Sequence, residues 1–101
     1  MLTEKDKKYT VKIAGKEYEL APVNWNVLSG IETELKCSIT ELMPILQKSI
    51  YSTTLTLAWI FLRDKYPELT KEFIGNITNH KEIMLMTSTI SDALLDFFGI
   101  E

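Results

Sequence analysis

The sequence predicts an α+β fold, mainly α: an N-terminal β-hairpin followed by a bundle of about four helices. Three observations predict it. Between Tyr9 and Leu20, apolar residues alternate with polar ones on both sides of a glycine-containing turn. Beyond Ala21-Pro22-Val23, apolar residues recur at helical spacings of three and four. Residues suited to capping stand where the helices should begin, at Asn24, Ser38 and Asn79.

The hairpin comes first. Tyr9, Val11 and Ile13 alternate with Thr10 and Lys12, and Tyr18 and Leu20 alternate with Glu17 and Glu19. Period two on both sides of Gly15 is the pattern of a half-buried pair of strands. The charged set, Lys12, Glu17 and Glu19, lies on the opposite face, where cross-strand pairs add a few tenths of a kcal/mol, roughly. A lone hairpin is marginal in water. Its apolar face must pack on the helices or on a second copy of the chain.

Pro22 ends the strand, and Asn24 is placed to accept a first-turn N–H. Trp25, Leu28, Ile31 and Leu35 form one apolar stripe, with Glu32 and Lys36 four residues apart in the favourable order. Gly30 weakens this helix unless something packs closely against it. Ser38-Ile39-Thr40-Glu41 matches a capping box, and Pro44 marks a kink or the start of the next helix. From Pro44 to about Lys65 no glycine or further proline intervenes. Leu46, Ile50, Leu57 and Phe61, widened by Trp59, Ile60 and Leu62, give a helix apolar around much of its circumference. Such a helix is central in its bundle or half-covered by a partner.

Tyr66-Pro67 ends that helix. A short helix is expected over 68–75, with Leu69, Phe73 and Ile74 inward and Gly75 as its stop. Asn79 and Glu82 then make a second capping box. Ile83, Met86, Ile90, Leu94, Phe97 and Phe98 follow at helical spacing until Gly99. Residues 1–8 read as a flexible, solvated tail that holds the one basic cluster, Lys5, Lys7 and Lys8. Residues 9–101 read as a single domain.

Composition narrows the function classes. The 101 residues are 46% apolar, enough for one core and no second domain. With 11 basic and 14 acidic residues the net charge is −3, which argues against nucleic-acid binding. No signal peptide or membrane span is evident, since the longest apolar run, Leu57 to Leu62, is far too short to cross a bilayer. The single cysteine, Cys37, cannot form an internal disulfide, so an intracellular location is expected.

The chemistry-bearing residues read as structural. His80 stands at a helix start with no nucleophile implied by spacing. Cys37 has only Lys36 as a basic neighbour and reads as a small buried residue. Asp92 and Asp96 read as a solvated helix face without further oxygen ligands. Met43, Met84 and Met86 read as core filling, with an adaptable binding surface as the lesser reading. No phosphate-cradling glycine motif is present. The expectation is a protein that binds or assembles others, with no catalytic residue, cofactor or metal. Its interface candidates are Trp59, Phe61 and Leu62 on the wide helix and Tyr9 and Tyr18 on the hairpin. All five serve equally well as core.

One pattern spans most of the chain from about residue 9. It consists of the hairpin Ile13 to Leu20, Leu28 and Ile31-Glu32 of the first helix, and the segment Leu69 to Glu72. It closes with Ile83, Ile90, Ala93-Leu94 and Phe97-Phe98-Gly99 of the last helix. In these positions the chain resembles the small tail assembly chaperones of long-tailed bacteriophages and their prophage relatives. Pro44 and the aromatic pair Trp59 and Phe61 stand outside the pattern. The resemblance implies a non-catalytic factor in the host bacterial cytoplasm that is absent from the mature virion. It implies binding of the tape-measure protein, keeping it soluble, and recruitment of the tail-tube protein, with a longer frameshifted form in many members. An exposed hairpin edge would allow a homo-oligomer. A different class, a small acidic regulatory protein that binds a host protein or blocks a basic nucleic-acid-binding surface, is the alternative. The scatter of acidic residues along the chain gives it no obvious stripe.

Overall fold

The computed structural model describes residues 9–99. The earlier expectation for the tail, 1–8, lies outside them. A two-stranded antiparallel hairpin, β1 (Thr10–Ile13) and β2 (Lys16–Glu19), is followed by five helices: α1 (Trp25–Leu35), α2 (Leu42–Lys48), α3 (Ile50–Leu62), α4 (Lys71–Ile77) and α5 (His80–Phe98). A single 3-10 turn, Ile39–Glu41, leads into α2. One core cluster draws on every strand and helix.

The hairpin forms as the alternation requires. Val11 faces Tyr18 and Lys12 faces Glu17 across the strands. Val11, Ile13, Tyr18 and Leu20 are buried, while Thr10, Lys12 and Glu17 are exposed. The two turn residues, Ala14 at φ 54° and Gly15 at φ 83°, both lie in the left-handed region. Two positive φ values match the right-handed strand twist and make the tightest hairpin connection, at a steric cost for the alanine. At the open end the Ala21 N–H donates to the Phe61 carbonyl at 3.0 Å. That bond satisfies one of the carbonyls left over at the C-terminal end of α3. Tyr66 packs edge-on against Tyr18, with ring centroids 4.9 Å apart, and its hydroxyl accepts the Glu19 N–H at 3.1 Å. Lys65 pairs with Glu19 at 2.9 Å.

α1 starts where Asn24 predicts it should, with Asn24 Oδ1 accepting the Val27 N–H at 2.9 Å. Its inward residues are Val27, Leu28 and Ile31. Trp25, placed on the core stripe by spacing, is instead 75% exposed. Helical side chains lean toward the N-terminus, so one at the first position overhangs the end of its helix. The expected Glu32–Lys36 pair gives way to a helix end. Lys36 leaves the helix at φ 55°, and Glu32 accepts the Ile39 N–H at 3.0 Å. Gly30 sits where α1 crosses α3. A Cβ there would stand 3.1 Å from Arg63 Nη2 and 3.6 Å from Ile60 Cγ2.

The uninterrupted helix expected from Pro44 to Lys65 is divided. α2 ends at Lys48, and Ser49 takes φ −136° and ψ 65° before α3 begins. Neither glycine nor proline marks the break. It falls in a stretch rich in serine and threonine (Ser49, Ser52, Thr53, Thr54, Thr56), which have weak helix preference. Pro44 occupies the first turn of α2, where an N–H is not needed. α3 is the central helix and contacts α1, α2, α4 and α5. Its breadth of apolar surface is therefore met from within the chain: Leu57, Ala58, Ile60, Phe61 and Leu62 are all buried. Thr54 and Thr87 join α3 to α5 through their hydroxyls, 2.7 Å apart, and Thr87 donates onward to the Ile83 carbonyl.

α4 starts later than the apolar spacing suggests. Thr70 accepts the Phe73 N–H as its cap, Gly75 lies inside the helix, and Ile74 becomes the buried residue. That phase turns Phe73, expected inward, toward solvent. α5 keeps both predicted ends: the Asn79/Glu82 capping box and Gly99 at φ 71°.

Glu82 does more than cap. Its Oε1 accepts the Ala14 N–H at 3.0 Å and its Oε2 accepts the Gly15 N–H at 2.9 Å, while Asn79 N–H approaches Oε1 at 3.3 Å. One carboxylate thus clasps the hairpin turn to the start of α5, and the side chain is only 8% exposed. The bonds from Gly15 and Ala14 hold this carboxyl below its ordinary range, with help from Lys12.

Candidate functional site

Packing explains most of the apolar residues and leaves a small set unexplained. Trp25 at the start of α1 meets Phe97 at the end of α5 edge-on, with centroids 5.6 Å apart. Phe97 in turn meets Phe98 at 5.3 Å. Phe97 is 38% and Phe98 41% exposed. Tandem phenylalanines project about 100° apart on a helix, so the two rings point in different directions from its end. Leu95 is also exposed on the last turns of α5. The result is an aromatic patch where the first helix begins and the last one ends.

The residues chosen from sequence fall elsewhere. Phe61 and Leu62 are completely buried, and Tyr18 is buried under the hairpin. They are core residues, because the inward side of α3 is covered by four other helices and the hairpin face is pressed onto the bundle. Tyr9 is half-buried against the same core. Trp59 is half-buried, and its ring is flanked by cations, with Arg63 at 4.7 Å and Lys71 at 5.8 Å. Arg63 also reaches Glu34 at 3.5 Å. These five do not assemble into one exposed surface. The sequence signal that could have found the patch was the Phe97-Phe98 doublet together with a tryptophan directly after an N-cap.

The residues screened for chemistry lie apart. His80 Nδ1 is 3.3 Å from the Tyr51 hydroxyl, and both groups are exposed. Cys37 is half-buried; burial, then Glu41 and Glu32, push its thiol up, which disfavours the thiolate. Among the described residues, no group of three or more His, Cys, Asp and Glu side chains could hold a metal ion. No helix among them is long and apolar enough to cross a membrane.

No protein-family model, curated protein or solved structure matches this chain. The site therefore has to be read from its own chemistry. Aromatic side chains of this kind are the residues that most often anchor protein partners. A cluster of exposed apolar side chains marks a candidate interaction site, although Met43, Tyr51, Phe73 and Leu85 are exposed as well.

Proposed function

We propose that this chain is a non-catalytic tail assembly chaperone of a long-tailed bacteriophage or prophage, acting in the host cytoplasm. In this reading it binds the tape-measure protein, keeps it soluble, and aids assembly of the tail tube. One observation carries the reading. Of the large apolar residues that make up the resemblance, Ile13, Leu28, Ile31, Leu69, Ile83, Ile90 and Leu94 are buried. Phe97 and Phe98 belong to the same pattern and are exposed. Core packing accounts for the first set and leaves the second for a partner. A long helical client suits such a surface, because amphipathic helices bind by laying an apolar face on exposed apolar side chains. The net charge of −3 helps keep a chain with exposed aromatics in solution.

The test is co-expression with the tape-measure protein of the same virus or prophage. The two should co-purify, and the tape-measure protein should move from the insoluble to the soluble fraction. A tape-measure protein that is equally soluble and unbound with or without this chain would end the proposal.

A further inference from the structure

Main-chain groups of an antiparallel hairpin alternate between the partner strand and the outside. The Leu20 N–H donates to the Tyr9 carbonyl at 2.9 Å, so Tyr9–Leu20 and, two residues on, Val11–Tyr18 are the pairs that bond to each other. The pairs between them, Thr10–Glu19 and Lys12–Glu17, turn their N–H and C=O groups outward. On the β2 side the Tyr66 hydroxyl already takes the Glu19 N–H. On the β1 side, no described residue bonds the outward groups of Thr10 and Lys12, and both residues are exposed. β1 is therefore an open strand edge, a template for extended backbone.

α5 supplies the floor beneath this edge. It packs against β1 more than against β2, Glu82 holds the hairpin turn, and Thr87 faces Thr54 of α3. Leu85 projects about 60° round α5 from Glu82, on the side away from Thr87. It is 55% exposed and lies beyond β1, where the inward side chains of an added strand would fall. A second copy does not fit here. Two β1 strands paired about a two-fold axis stand about 4.8 Å apart with both bundles on one face. Helices side by side need about 8–10 Å, so the two α5 helices would collide. A single strand brings no helix with it.

We propose that the outer edge of β1 pairs with an extended segment of another protein whose inward side chains are apolar and rest on Leu85. Thr10 and Lys12 supply the main-chain bonds, and Leu85 supplies the side-chain contact. This surface is separate from the aromatic patch, because Leu85 lies about 18 Å along α5 from Phe97. The inference does not rest on the proposed function.

The experiment uses the full chain and a short designed peptide that alternates valine with threonine and glutamate. Two further versions are N-methylated, one at every valine and one at every polar residue. Amide NMR shifts and hydrogen exchange are followed during titration. The unmethylated peptide should give saturable shifts at Thr10, Lys12 and Leu85, and should slow exchange of the Thr10 and Lys12 amides. One methylated version should bind about tenfold or more weakly and the other about as well as the parent, because only one set of its amides faces the edge. Leu85→Ser alters an exposed side chain, so it should keep the dispersed spectrum of the folded chain and weaken binding by about threefold or more. Equal binding of the two methylated versions, shifts at another face, no shifts, or binding indifferent to Leu85→Ser would overturn the inference. So would a free chain that is already dimeric with the Thr10 and Lys12 amides protected, since a second copy would then hold the edge. No phage protein enters this experiment, so its outcome is separable from the tape-measure co-expression result.

Discussion

Phe61 and Trp25 are both aromatic residues on helices, and the structure gives them opposite roles. Phe61 is 0% exposed, near the C-terminal end of α3, in the one core that the hairpin and the helices share. Phe61→Ala removes a buried ring and leaves a cavity, at a cost of about 3–5 kcal/mol. A domain of this size holds a total of about 5–15 kcal/mol, so the substitution takes a third or more of it in most of that range. Trp25→Ala removes a ring that is 75% exposed. What it loses is mainly the edge-on contact with Phe97, worth about 0.5–1.5 kcal/mol. Urea unfolding followed by far-UV circular dichroism measures both. The two midpoints should separate widely, with the slope against urea unchanged in Trp25→Ala. Two results would refute the reasoning. Phe61→Ala costing under about 1.5 kcal/mol would mean that α3 is not the packed centre. Trp25→Ala costing as much as Phe61→Ala would mean that the aromatic patch is core.

Glu82→Gln should raise hydrogen exchange at the Ala14 and Gly15 amides while Ala21, bonded to Phe61, stays protected; uniform loss of protection would argue against a local clasp. The same carboxyl has its folded pKa depressed below 4.5, so its stabilisation is present above that value and is lost as pH falls through the folded pKa. The wild type should therefore lose more stability than Glu82→Gln between neutral pH and about pH 3, as followed by thermal melts. Ala14→Asn should stabilise the domain by about 0.5–1 kcal/mol in urea unfolding, because asparagine tolerates the left-handed φ at a position where Asn-Gly is the favoured pair. Cys37 should react with iodoacetamide more slowly than free cysteine at neutral pH, and a faster rate would contradict its raised thiol pKa.

What the sequence made legible follows from how local each signal is. The hairpin was readable because alternation and a glycine turn occupy adjacent residues. Asn24, Asn79 and Gly99 were readable because a cap depends on groups within one turn. The break at Ser49 was not, because no residue there forbids a helix; the serines and threonines around it only weaken one. The phase of α4 was misread because Leu69 and Phe73 have helical spacing, yet Leu69 precedes the helix and Thr70 is its cap. The second role of Glu82 was invisible for a different reason. A capping box predicts its bond to Asn79, but nothing local predicts that a turn 67 positions earlier will supply two more donors.

The same distinction bears on function. Spacing identifies which residues can share a face, and says nothing about whether another part of the chain already covers that face. α3 has the broadest apolar surface in the sequence, and four other helices cover it. The three rings of the patch instead belong to helix ends, where a side chain keeps helical phase but extends past the neighbouring elements. Trp25 overhangs the start of α1, and Phe97 and Phe98 close α5 immediately before Gly99. A partner seated there would contact both the first and the last helix, which Phe97 already links through Trp25. Binding would then tie the two ends of the helical region together, and α1 and α5 amides should exchange more slowly in the complex than in the free chain. Slower exchange confined to one of the two helices would show that the partner does not bridge them.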